Sequence, residues 1–210
     1  MKHLELLIER YPVLAECKDE IKNAIEAIIE CYKNGGKVLL CGNGGSCADC
    51  DHIVGELMKG FLKRRPLTDT KKAEMSAKCA ELDDATLSKL QGGLPAISLP
   101  TIAALSSAFN NDVDAELTYA QSTLALGKVG DVFVGLSTSG NAKNVAAAAR
   151  VARGLGLIVI GMSGEGGGKL AALSDIAIRV PERETFKIQE LHLPVYHAIC
   201  AEVEEYFFSE

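Results

Sequence analysis

A strand, a glycine loop and a helix follow one another twice in this chain, and that arrangement constrains its fold more than any other feature. The first copy runs from the short apolar stretch Lys37-Val-Leu-Leu40 through Cys41-Gly-Asn-Gly-Gly-Ser46 into a helical stretch from about Ala48 to Lys59. In the second copy Asp131-Val-Phe-Val-Gly-Leu136 is the strand, Ser137-Thr-Ser-Gly-Asn141 the loop, and Ala142 to Leu155 an alanine-rich helix. Further strands are expected at Leu157–Gly161, Ile176–Val180 and, more weakly, Ala96–Leu99, with a short helix at Lys169–Leu173 and a long one from Glu184 to about Phe208. Strands that read as unbroken apolar runs and alternate with helices predict an α/β fold whose parallel sheet is covered on both faces.

The 210 residues fit one domain, 1–210, with enough chain for a substantial core. Residues 1–34 form an N-terminal helical segment, interrupted at Pro12 and ended by Asn34-Gly35-Gly36. Its second half carries an apolar face wider than one sheet contact needs, which suggests a partner subunit as a second contact. Residues 62–93 fit the strand–helix rhythm poorly and are read as an insertion, with Asp69 as the cap of a helix reaching Leu82. No apolar run approaches membrane-spanning length, so no membrane partner is expected. A formal charge of −6 disfavours broad nucleic-acid binding. The N-terminus lacks the core of a signal peptide, and the seven cysteines make no disulfide framework, which together predict a cytoplasmic protein. Cys47 and Cys50 have the spacing of a redox or metal pair and are read as small packing residues.

Backbone N–H groups at a helix N-terminus attract anions, and glycine allows close approach. Two such loops at the carboxyl ends of parallel strands point to a phosphate ligand. On the helix after the first loop, His52 and Glu56 are four residues apart and share a face. Gln189, Glu190, His192 and His197 lie together on the last helix. Histidine and carboxylate from one helix, with histidine and amide from another, suit either a zinc or iron site or a metal-free acid–base pair. Helical spacing pairs Glu190 with His197, seven residues on, and sets Gln189 about 80° away.

These pieces, in the order Cys-Gly-Asn-Gly-Gly-Ser, His52-x-x-x-Glu56, Asn111-Asp112, Leu136-Ser-Thr-Ser-Gly-Asn141 and Ile188-Gln-Glu-x-His192 with His197, resemble the SIS (sugar isomerase) fold, and within it the bacterial phosphoheptose isomerase family. The resemblance implies a three-layer, flavodoxin-like SIS domain and an aldose–ketose isomerase that turns sedoheptulose 7-phosphate into a heptose 7-phosphate through an enediol. It implies one Zn2+ per subunit held by His52, Glu56, Gln189 and His197, with Glu56 and His197 as the acid–base pair. It also implies substrate contacts from Asn43, Gly44, Gly45, Ser46, Glu56, Asn111, Asp112, Ser137, Thr138, Ser139 and Gln189, and a homotetramer. The chain departs from the family pattern at Ala142, where a serine is usual, at Gly60, where an arginine is usual, and over 62–93. Lys59, Lys63, Arg64 and Arg65 are candidate substitutes for that arginine. The alternatives are an isomerase of another ketose phosphate and a non-catalytic SIS tetramer that binds a replication initiator.

Overall fold

The computed structural model describes residues 1–209. Strands β1 (Val38–Cys41), β2 (Ala96–Ser98), β3 (Val132–Leu136), β4 (Ile158–Gly164) and β5 (Ile176–Val180) form one five-stranded sheet in the order β2-β1-β3-β4-β5. Every pairing is parallel, with Val38 opposite both Ala96 and Val132 and Val132 opposite Ile158. The helices are α1 (Lys2–Arg10), α2 (Lys18–Lys33), α3 (Gly45–Met58), α4 (Asp69–Lys78), α5 (Asp84–Leu87), α6 (Ala103–Asp112), α7 (Thr118–Leu126), α8 (Lys143–Gly154), α9 (Gly168–Leu173) and α10 (Thr185–Phe208).

Successive strand side chains point to opposite faces, and both faces are covered. Val38 and Leu40 of β1 join Val132, Val134 and Leu136 of β3 in a core closed by α1, α2, α3 and α10. Leu39 and Cys41 join Phe133 and Val159 in a second core under α7, α8 and α9. This burial on both sides explains why the strands read as continuous apolar runs.

Pro12 opens a 3-10 turn, Pro12–Cys17, between α1 and α2. The wide apolar face of α2 is satisfied within the chain rather than by a partner subunit. Ile21, Ala24, Ile25, Ile28, Cys31 and Tyr32 are all buried, against the sheet and the neighbouring helices. Tyr32 also meets Phe207 of α10 edge-on, with ring centroids 6.0 Å apart.

The ends of the 62–93 segment are clipped together. Pro66 bridges Gln91, Gly92 N–H donates to Arg65 O (2.7 Å), and Gly60 N–H donates to the Gln91 side chain (2.7 Å). Between these clips, α4 buries no residue and α5 buries Leu87. Thr68, not Asp69, caps α4 by accepting from Lys71 N–H, and the helix ends at Lys78 rather than Leu82.

Candidate active site

The strand order 2-1-3-4-5 reverses direction between β1 and β3, and open parallel sheets bind ligands outside the carboxyl ends of the strands at such a point. The glycine loops after β1 and β3 both leave the sheet there. They are tied together by a reciprocal amide pair: Asn43 Nδ2 donates to Asn144 Oδ1 and Asn144 Nδ2 to Asn43 Oδ1, both at 2.9 Å. The Tyr119 hydroxyl supports the same loop by donating to Gly42 O (3.0 Å).

Two glycines stand at close approaches, one to a movable side chain and one to backbone. A Cβ on Gly45 would sit 2.5 Å from Gln189 Nε2, so the start of α3 is packed against the Gln189 amide. A Cβ on Gly140, where φ is +66°, would meet Gly167 O at 1.9 Å. Ser137 is buried and its Oγ accepts from Ala142 N–H, while Ser139 Oγ accepts from Asn141 N–H. Thr138 and Ser139 line a cavity of about 360 Å3 with Gly164, Gly166 and Arg183. Asn43, Gly44 and Gly45 are exposed at the mouth of the first loop, whereas Ser46 is buried beneath it.

The chemistry-bearing helices α3 and α10 pack against each other and bring His52, Glu56 and His197 together. His52 Nε2 lies 3.1 Å from Glu56 Oε1, and the His52 and His197 rings meet edge-on with centroids 4.9 Å apart. Glu56 Oε2 and His197 Nε2 are buried and have no hydrogen-bond partner among the described residues. Burial, reinforced by His52, lowers the His197 pKa, against an upward pull from Glu56. The imidazole is therefore neutral at physiological pH.

Nitrogen, nitrogen and carboxylate oxygen are donors that suit zinc, and two buried polar atoms without partners fit a ligand in kind. The pieces are adjacent rather than converged: among the described residues no three His, Cys, Asp or Glu side chains are grouped as an ion cage. Gln189, the fourth expected ligand, lies against Gly45. Glu190 instead lines a cavity of about 430 Å3 together with His197, Phe61 and Pro194, as the seven-residue helical spacing predicts. Asn111 and Asp112, at the exposed end of α6, hydrogen-bond each other (2.8 Å) and make no hydrogen bond to the loops among the described residues.

Of the candidate substitutes for the family arginine, Lys59 alone faces Glu56, with Nζ 3.7 Å from Oε2. Lys63 pairs with Glu205. Arg65 is fully buried, its Nε donating to Glu204 (2.8 Å) and its other nitrogens to the carbonyls of Leu57 and Glu56 at the end of α3. Gly60 has no room for a side chain, since a Cβ would lie 2.4 Å from Lys63 O. All seven cysteines are free; Cys50 lies in the core, where burial pushes its thiol well up, so the Cys47–Cys50 spacing makes no redox pair.

Three residues of the site were not anticipated. Asn144 braces the first loop, and Tyr196 and Asp49 form a chain behind His52. His52 Nδ1 lies 3.0 Å from the Tyr196 hydroxyl, which donates to Asp49 Oδ1 at 3.2 Å. Burial, with Asp49 nearby, raises the Tyr196 pKa and keeps the phenol protonated. Asp49 stands three residues before His52 on one helix face, which is the signal the sequence offered.

A parallel sheet of this order with two anion-ready loops, and a histidine–carboxylate cluster where α3 packs on α10, defines a SIS domain, and SIS domain models match residues 7–89 and 103–201. The chain belongs to the phosphoheptose isomerase family. It is 38% identical over 194 residues to a phosphoheptose isomerase of Aneurinibacillus thermoaerophilus, covering 90% of this chain and 85% of that one. It is 40% identical over 190 residues to phosphoheptose isomerase 2 of Campylobacter jejuni, covering 90% and 82%. A solved phosphoheptose isomerase from Francisella tularensis superposes with a TM-score of 0.77 at 27% identity, over 97% of this chain and 95% of that chain. One from Neisseria gonorrhoeae gives 0.70 at 31%, over 93% of each.

Proposed function

We propose that this enzyme interconverts sedoheptulose 7-phosphate and D-glycero-D-manno-heptose 7-phosphate by proton transfer through an enediol. The observation that carries the reading is the presence, on the packed helices α3 and α10, of two buried atoms, Glu56 Oε2 and His197 Nε2, that have no hydrogen-bond partner among the described residues. A ketose becomes an aldose when a proton leaves C1, a proton arrives at C2, and the two oxygens exchange one proton. Glu56 Oε1 is engaged by His52, which leaves Oε2 as the atom that takes and returns the carbon-bound proton. His197, held neutral by burial, moves the oxygen-bound proton. The hydroxyls of Ser137, Thr138 and Ser139 and the N–H groups of Thr138 and Ser139 grip the phosphate, and that remote binding energy orients the reacting carbons. Asn43, Gly44 and Gly45 line the sugar, with Asn111 and Asp112 as further contacts.

His52, Glu56 and His197, with Gln189 as a fourth donor, would hold one Zn2+. Bound there, the ion would polarise the carbonyl and stabilise developing negative charge on oxygen. His197 would then serve through its two ring nitrogens, one toward the ion and the other toward the sugar oxygens. The same reading makes it a cytoplasmic homotetramer; seven free thiols suit a reducing compartment. No helix among the described residues is long and apolar enough to cross a membrane.

A second reading, an isomerase of a different ketose phosphate, is favoured by one observation: Gly60 cannot carry the family arginine, and Arg65 is committed to Glu204. A panel of ketose phosphates assayed with zinc and with chelator separates the two. Aldose formation fastest from sedoheptulose 7-phosphate and lost on chelation supports the proposal; faster turnover of another ketose phosphate selects the second reading, and no turnover of any refutes both.

A further inference from the structure

We propose that His192 is a positioning residue for the phosphate loop: buried on α10, it holds the Ser163–Gly164 end of β4, to which Ser137 and Thr138 are bonded. Ser137 N–H donates to Met162 O (3.0 Å), and Gly164 N–H donates to Thr138 O (2.9 Å). Between those two bonds lies Ser163, itself buried, and its carbonyl faces His192 Nε2 at 3.4 Å. A carbonyl oxygen only accepts, so Nε2 carries the hydrogen and donates it. One turn earlier on α10, Ile188 closes on the next residue of the strand: a Cβ on Gly164 would lie 2.5 Å from Ile188 Cδ1. Gly164 and Ile188 also line the cavity that Thr138 and Ser139 border.

Two features set this contact apart from ordinary packing. His192 is fully buried, and its second nitrogen, Nδ1, has no hydrogen-bond partner among the described residues. Burial keeps the ring neutral, so Nδ1 holds a lone pair away from water, a cost that leucine at the same position would avoid. The fold thus gives up stability to keep an N–H at this place, and that N–H is spent on Ser163. The second feature is the helix itself. The same α10 carries Gln189 and His197. The bond from His192 therefore ties the helix of the acid–base group to the strand beside the phosphate loop. His192 does not reach the substrate; it acts through Ser163 and Gly164.

The assignment rests on the reading of Ser137, Thr138 and Ser139 as the phosphate grip, yet its first measurement needs no substrate. Backbone amide hydrogen exchange, followed by NMR in wild type, His192→Leu and His192→Gln, reports the two bonds that seat the loop. Glutamine can place an amide N–H where the imidazole Nε2–H stands; leucine cannot. The Ser137 and Gly164 amides should exchange about five- to tenfold faster in His192→Leu, the worth of one hydrogen bond, and return to the wild-type rate in His192→Gln. The inhibition constant of inorganic phosphate should rise in His192→Leu by a similar factor and recover in His192→Gln, at a melting temperature no lower than that of the wild type. Unchanged exchange in His192→Leu, or fast exchange that His192→Gln does not restore, overturns the positioning role. Faster exchange with unchanged phosphate inhibition also overturns it, since the grip would then not depend on the bond. A wild type that inorganic phosphate does not inhibit refutes the phosphate grip itself, while the exchange rates still decide the tie to β4. If His192→Leu does not fold, His192→Phe keeps a ring without the N–H and takes its place.

Discussion

Glu204→Leu is expected to destabilise the protein severely, and the structure says by how much. The Glu204 carboxylate accepts four hydrogen bonds, from Phe61 N–H (2.8 Å), Leu62 N–H (2.7 Å), Lys63 N–H (3.1 Å) and Arg65 Nε (2.8 Å). Its side chain is 1% exposed and that of Arg65 0%. Removing one partner of a buried pair costs about 3–5 kcal/mol, because the other charge stays buried and unpaired. The three N–H groups lie in a loop that water can reach, so about 5 kcal/mol is the expected total. At roughly 2–4 °C per kcal/mol for a chain of this size, the melting temperature falls by about 10–20 °C. Arg65→Met leaves Glu204 in its nest of three backbone donors and is expected to cost about 3 kcal/mol. The double variant should cost less than the sum of the two by about 2 kcal/mol or more. Urea unfolding followed by circular dichroism gives all three numbers, and Arg65→Met keeps the cycle informative if Glu204→Leu does not fold. Burial raises the Glu204 pKa, but the Phe61 and Leu62 amides and Arg65 outweigh it and leave the value lowered. Its contribution is therefore full at neutral pH and is lost as pH falls through the folded value. Losses below about 1 kcal/mol for each single variant, or strictly additive losses, would refute the claim that this pair fastens the end of α3 to α10.

Buried His192 has its pKa lowered to about 4 by burial, so the unfolded chain takes up a proton below about 6.5 that the folded one refuses. Stability is intact above that pH and declines towards pH 4, by roughly 3 kcal/mol in all; His192→Gln should flatten that part of an acid unfolding profile, and equal slopes would count against it. Gly45→Ala places a Cβ 2.5 Å from the Gln189 amide, which is the movable end of a side chain. The melting temperature should change by no more than about 2–4 °C, worth ~1 kcal/mol, while kcat/KM falls at least about tenfold as Gln189 is displaced, a 1.4 kcal/mol loss of transition-state stabilisation; unchanged kinetics would remove Gln189 from the site. Lys59→Met removes an exposed cation 3.7 Å from Glu56 and should lower kcat/KM about two- to fivefold, the scale of an exposed ion pair. A loss above fiftyfold would make Lys59 a direct substrate contact.

The strands and the two loops were legible in the sequence because burial on both faces leaves no polar alternation to confuse. The helices α6 and α7 were not. The buried residues of α7 include Thr118, Ser122 and Thr123, and two of those hydroxyls donate to carbonyls one turn back, Ser122 to Thr118 O and Thr123 to Tyr119 O. They satisfy themselves inside the helix and pack as small residues, yet they read as polar loop. At the site, the four-residue step from His52 to Glu56 and the seven-residue step from Glu190 to His197 were visible as helix faces. The link from Asp49 through Tyr196 to His52 was not, since it crosses 147 residues of chain and a tyrosine among apolar neighbours reads as core. The wide face of α2 suggested a second subunit because the sequence does not show how many helices share one side of the sheet.

The role given to Glu56 is tested most directly by the rate of aldose formation from sedoheptulose 7-phosphate in zinc-loaded Glu56→Gln against wild type. Loss of a positioned general base predicts a fall of about 10^2- to 10^4-fold in kcat with the fold intact. Undiminished turnover by the variant would contradict the assignment of the carbon-bound proton to Glu56 Oε2, and with it the mechanism built on that atom.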